Sequence, residues 1–247
     1  MEQTKEALQY VAGLAVEAES PEIVEICGKT YCTKDLTRYD EAPKARAIVA
    51  SSLTSLVDYL RDCNSEFPGD MIIHITSPTS VRLMSKLDVE RQREVLFQTD
   101  AITSQFTFDR WYDQERMMIE LQANFEQSAD LELILKATGN IEKRNDQVYT
   151  DDGRSQVATM TVGVAAKDNV LVPNPVQLVP YRTFQEVDQP ASKFVFRIGD
   201  GDEPKFMLVE AENNIWKNEA IDNIKVYLKG CIAEMPEDLQ DRITVIG

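Results

Sequence analysis

The chain opens with a helical period. In "MEQTKEALQYVAGLAVEAES" the apolar positions Leu8, Val11, Ala12, Ala15 and Val16 recur at spacings of three and four. That spacing predicts an amphipathic helix docked on the domain or on a neighbouring subunit. "PEIVEICGKTYCTKDL" favours short extended segments, with Cys27 and Cys32 flanking a turn that can bring two thiols near each other. "TRYDEAPKARAIVA" reads as a connecting stretch around Pro43. In "SSLTSLVDYLRDC" Leu53, Leu56, Val57 and Leu60 share one face, and Ser51 or Ser52 is placed to cap the helix. A turn at "FPGD" precedes "MIIHITSPTSVRLMSKLD", two strands broken at Pro78, and "REVLFQTDAI" supplies a third. Consecutive strands of this kind predict an antiparallel sheet, not repeated strand-helix crossovers.

The period then changes. In "DRWYDQERMMIELQANFEQ" Trp111, Met118, Leu121 and Phe125 fall on helical spacing, and "SADLELILKATGN" continues with a second helix closing near Gly139. The pair predicts a helical hairpin. The polar stretch "NIEKRNDQVYTDDGRS", with its turn at Asp151, Asp152 and Gly153, places a subdomain boundary near 140–155 within a single domain covering 1–247. Downstream, "QVATMTVGVAA", "VQLVPYRTFQEV", "SKFVFRI" and "KFMLVEAE" are successive strand candidates, the last two joined by "GDGDEP". A long C-terminal helix is expected from Asn213 or Asn214, with Trp216, Ala220, Ile224, Leu228 and Cys231 along its buried stripe. The predicted class is α+β, a mostly antiparallel sheet with packed helices.

The most distinctive stretch is "PYRTFQEVDQP", residues 180–190, followed by "ASKFVFRI". On an extended chain Tyr181, Thr183, Gln185 and Val187 face one way and Arg182, Phe184 and Glu186 the other. In "KFVFRI" Phe194, Phe196 and Ile198 form an apolar face opposite Val195 and Arg197. If these strands pair, Tyr181, Arg182, Phe184, Glu186, Lys193 and Arg197 form one cluster, read first as a structural arginine-carboxylate network and second as an anion-contact site. Replacing either arginine by alanine is then expected to lower stability or disrupt assembly.

Charge narrows the choice of partners. The formal charge is −16, with 42 acidic against 26 basic residues, which opposes nonspecific contact with a phosphate backbone and leaves room only for a local basic patch. No apolar run approaches the roughly 20 residues that span a bilayer, and the first residues are acidic where a signal peptide is basic. A cytosolic protein without membrane contact is expected. Cys27, Cys32, Cys63 and Cys231 are too dispersed for a disulfide framework, and His74 is the only histidine available for a zinc site. "GKT" at 28–30 lacks the first glycine of a phosphate-binding loop, since Ile23 occupies that position. His74 alternates with Ile73 and Ile75, as in a strand. The pairs Asp151 with Asp152 and Asp200 with Asp202 sit in turn-rich segments and read as turn chemistry before metal ligands. No catalytic, cofactor-binding or metal-binding residue is assigned.

"LVPYRTFQEVDQPASKFVFRI", together with "SSLTSLVDYLRD" and "RWYDQERMMIELQANFEQ", resembles the YfdQ-like family of phage and prophage proteins of unknown function. The resemblance is strongest over 181–197, at Arg182, Thr183, Phe184, Glu186, Gln189, Pro190, Phe194 and Arg197. It implies a bacteriophage or prophage origin and action in a bacterial host cytoplasm, and supplies no reaction.

Three functions are weighed. The first is a nonenzymatic phage accessory protein acting by self-association, as a homo-oligomer, or by binding a host or phage protein. The second is a recombination or replication accessory in which Tyr181, Arg182, Lys193 and Arg197 form a groove for single-stranded nucleic acid. The third is an enzyme that handles a nucleotide or small molecule.

Overall fold

A computed structural model describes residues 4–34, 44–139, 150–151, 155–162, 166–199 and 204–247. The chain divides into two units, Met1–Lys44 and Ala45–Gly247, a division that pattern reading did not place.

The first unit holds helix α1 (Lys5–Glu19) and a hairpin of β1 (Ile23–Ile26) and β2 (Lys29–Cys32). Its turn residues Cys27 and Gly28 both take positive φ, 54° and 74°, as the two-residue hairpin turn that matches strand twist requires. Ile23 pairs with Cys32 and Ile26 with Lys29. Cys27 therefore sits at the tip and Cys32 at the open end, both as free thiols, and the turn does not bring them together. Leu8, Tyr10, Val11, Leu14 and Val16 on α1, and Ile23, Val24, Ile26 and Tyr31 on the hairpin, are all exposed.

The second unit starts with a strand that the sequence reading assigned to a connection. β3 (Ile48–Ala50) is three residues long, too short for its period to register, and pairs in parallel with the later strand Val95–Asp100. Helix α2 (Leu53–Asp62) follows, capped by the Ser52 hydroxyl, which accepts the Ser55 N–H at 3.2 Å. A 3-10 turn (Asn64–Glu66) leads to β4 (Met71–Ser77), β5 (Ser80–Ser85) and β6 (Val95–Asp100), an antiparallel run as expected. β7 (Tyr112–Asp113) precedes α3 (Gln114–Asn124) and α4 (Ala129–Gly139), which pack together as the expected hairpin. The helix begins later than its period suggested, because Asp113 caps it by accepting the Arg116 N–H at 2.8 Å. Trp111 consequently lies before the helix and is exposed, and the buried stripe is Met117, Leu121 and the Glu120–Asn124 pair.

β8 (Thr150–Asp151), β9 (Ser155–Val162) and β10 (Ala166–Pro173) form a three-stranded antiparallel sheet. β10 was not anticipated: Asp168 and Asn169 resemble loop residues, yet they pair with Met160 and Thr159 in mid-strand. Of residues 140–155, which held the expected boundary, only 150–151 and 155 are described; Asp152, Gly153, Asp200 and Asp202 lie outside the described residues. β11 (Val176–Leu178), β12 (Ser192–Gly199) and β13 (Lys205–Glu210) complete a four-stranded antiparallel sheet ordered β11-β12-β13-β7. Helix α5 (Trp216–Ala233) starts two residues beyond Asn214, whose φ of 58° excludes it from the helix. Its buried stripe is Ala220, Ile224, Leu228 and Ile232, with Trp216 and Cys231 at its margins. After α6 (Glu237–Gln240), the apolar tail becomes β14 (Ile243–Ile246), parallel to β4. The first sheet is therefore mixed, in the order β14-β4-β5-β6-β3.

The architecture is α+β with mostly antiparallel sheets. Two cores fill the second unit. One joins α2 and α5 to the five-stranded sheet through Leu53, Leu56, Leu60, Met71, Ile73, Leu83, Ile224 and Leu228. The other joins α3 and α4 to the four-stranded sheet through Met117, Leu121, Phe125, Ile134, Phe194, Phe196, Phe206 and Leu208. His74 is half-buried on the face of β4 that points away from Ile73 and Ile75.

Candidate functional site

The connection between β11 and β12 carries "PYRTFQEVDQP", and it is not a strand. β11 stops at Leu178, and residues 181–190 form an irregular path with one turn. Pro180 has no N–H to donate to a ladder, and only an isolated bridge to Phe125 marks it. The alternation expected of an extended chain is lost with the strand.

This path is buried nonetheless. Arg182, Thr183 and Phe184 are 8%, 1% and 1% exposed. A buried irregular backbone needs partners for every polar group, and one side chain supplies most of them. The Gln189 carbonyl accepts the Arg182 N–H at 2.9 Å and the Thr183 N–H at 3.1 Å, while its amide donates to the Phe184 carbonyl at 2.9 Å. Gln189 holds the loop as a compact turn around its own side chain.

The path joins the two cores. At one end, the Tyr181 N–H donates to the Asn124 carbonyl that closes α3, and the Tyr181 carbonyl accepts the Ser104 N–H. At the other, the Phe184 ring enters the core of the five-stranded sheet. The Thr183 hydroxyl donates to the Pro78 carbonyl in the β4–β5 turn at 2.5 Å. The Glu186 carboxylate accepts the Thr54 N–H at 3.0 Å, adding a second cap to α2.

Arg182 lies at the centre. Its guanidinium donates to Glu210 at 3.0 Å, to the Ser192 hydroxyl at 2.5 Å and to the Pro190 carbonyl at 3.4 Å. It stacks on the Trp216 ring, 4.1 Å from the centroid, and lies 5.8 Å from that of Phe194. Burial holds its pKa below the usual arginine value, and the hydrogen bond and charge of Glu210, with the charges of Glu212 and Glu219, work the other way. Nε is buried without a partner. A planar group close to the Trp216 ring and hydrogen-bonded to a carboxylate and a hydroxyl is a cross-link between β12, β13 and α5.

The predicted cluster is not one site. Lys193 pairs with Glu212 at 3.0 Å beside Arg182; Glu186 and Phe184 face α2 and its core; Tyr181 is 37% exposed. Arg197 is exposed on the opposite face of β12 from Ser192 and Phe194, so the structure separates it from Arg182. Two strands were needed to bring both arginines together, and only one exists. Pattern reading missed Glu210, Ser192 and Gln189 as partners, and it gave Trp216 to the core. The signal for Gln189 was a glutamine before a proline in an otherwise unsatisfied apolar loop.

Among the described residues, no group of three or more histidine, cysteine, aspartate or glutamate side chains is placed to hold a metal ion, and no helix is long and apolar enough to cross a membrane. Comparisons of the chain with family models, with curated proteins and with solved structures find no match.

Proposed function

We propose that this chain is a nonenzymatic accessory protein, of phage or prophage origin, that works by self-association through its first unit. The observation carrying this reading is the exposure of that unit's apolar residues: Tyr10, Val11, Val16 and Ile23 are 69%, 61%, 68% and 72% exposed. A lone helix of this length is marginal in water, and so is a two-stranded hairpin. Their order needs burial, and each such side chain removed from water contributes about 1.5–3 kcal/mol. Ala7, Val11 and Leu14 recur at spacings of four and three, the seam along which two helices pack. A hollow beside α1, lined by Tyr10, Gly13, Leu14 and Val16, offers a place for a partner's side chains.

Light scattering on the purified chain tests the reading. At micromolar concentration the expected mass is at least twice the 28.0 kDa of one chain. The double variant Val11→Glu, Leu14→Glu puts a good helix former at both positions while charging the seam, and is expected at the monomer mass. A monomeric parent chain, or an unchanged mass in the double variant, would remove the basis for this function.

A further inference from the structure

The four-stranded sheet buries one face and leaves the other open. Phe194 and Phe196 on β12 and Phe206 and Leu208 on β13 point into the core, so the residues between them point away. Val195 pairs with Val209, Arg197 with Met207 and Gly199 with Lys205. The open face is thus a strip with a half-buried apolar middle, and exposed Arg197 and Lys205 stand diagonally across its two central strands. By that register their side chains start about 7–8 Å apart. Neither has an ion-pair partner among the described residues, unlike Lys193, which Glu212 holds.

Trp111 completes the strip. It is 44% exposed, and its ring lies over Gly199, where an added Cβ would stand 3.1 Å from the ring. The absence of a side chain at Gly199 lets the six-membered ring of the indole come close to the strand backbone with much of its surface still in water.

We propose that this open face binds single-stranded nucleic acid, Trp111 stacking on one base while Arg197 and Lys205 contact phosphates on either side of it. A fixed, solvent-facing ring beside unpaired cations fits a base and its backbone better than it fits an acidic peptide, which has no flat π-face to offer. At physiological salt the net charge of −16 is screened beyond about 8 Å, so the charges of the strip itself decide contact, and with two cations recognition is weak. The proposal is independent of self-association through the first unit.

The test is fluorescence anisotropy of a labelled oligothymidylate of about 20 nucleotides with the full chain. Two phosphate contacts give a slope of about −1.4 in log affinity against log salt, an affinity loss of about sevenfold between about 50 and 200 mM. Trp111→Ala is expected to weaken binding about tenfold, and Arg197→Glu with Lys205→Glu to abolish it. Arg82→Glu, a reversal at an exposed arginine of the five-stranded sheet, is expected to leave affinity within twofold. Melting curves confirm that each variant is folded, and Arg197→Gln with Lys205→Gln serves if the double reversal is not. Absence of binding at about 50 mM salt, an equal loss in Arg82→Glu, or competition by polyglutamate as effective as by the unlabelled oligonucleotide would each overturn it.

Discussion

Residues 5–32 and residues 181–189 are opposites. The first stretch is almost entirely helix and hairpin, and its described side chains are exposed. The second has neither helix nor strand, and Arg182, Thr183 and Phe184 within it are buried. Regular structure satisfies its own backbone and leaves its apolar side chains in need of cover. An irregular buried path has its apolar groups covered, and its backbone depends on particular side chains, here above all Gln189. The two stretches therefore respond to different perturbations: the first to what surrounds the chain, the second to single substitutions within it.

The comparison breaks most readily at Phe184. Its truncation to Ala leaves a hole in the core of the five-stranded sheet and is expected to cost about 3–5 kcal/mol in urea unfolding; a cost below about 1 kcal/mol would mean that the path is not anchored there. Arg182→Ala follows at about 2–4 kcal/mol, because Glu210 is left without its donor in a half-buried site. Arg182→Lys recovers part of this, since an ammonium cannot lie flat on Trp216 and also reach Ser192 and Glu210. Gln189→Ala orphans the Arg182 and Thr183 N–H groups and should cost about 1–3 kcal/mol. Full retention of stability in that variant would show that water replaces the amide. The smallest effect belongs to Arg197→Ala, within about 0.5 kcal/mol, because its side chain stands in solvent on the far face of β12. Equal melting losses for Arg182→Ala and Arg197→Ala would return both arginines to a single structural network.

Much of the fold was legible where one period persisted. α2, α4, the β4–β5–β6 run, β12 and β13 follow from spacing, and Ser52 was among the cap residues expected of α2. Short elements escaped: β3 has three residues and β7 two, fewer than a period needs. The parallel pairing of β14 with β4 depends on where α5 returns the chain, which no local pattern records. At the candidate site, Arg182 lies among aromatics and is bonded to Glu210 and Ser192. Its partners were not legible, because Glu210 and Trp216 arrive from β13 and α5. The pattern "PYRTFQEV" looks like a strand since its residue types suit one. Competition from Gln189 and the donor missing at Pro180 decide otherwise.

Hydrogen exchange of the intact chain at two widely separated protein concentrations tests both halves of the contrast at once. The amides of Tyr181, Arg182 and Thr183, bonded to Asn124 and Gln189 within one copy, are expected to be protected equally at both. Those of α1 are expected to exchange fast when dilute and slowly when concentrated, as assembly covers Val11 and Leu14. Exchange in α1 that ignores concentration, or fast exchange at residues 181–183, would contradict the account.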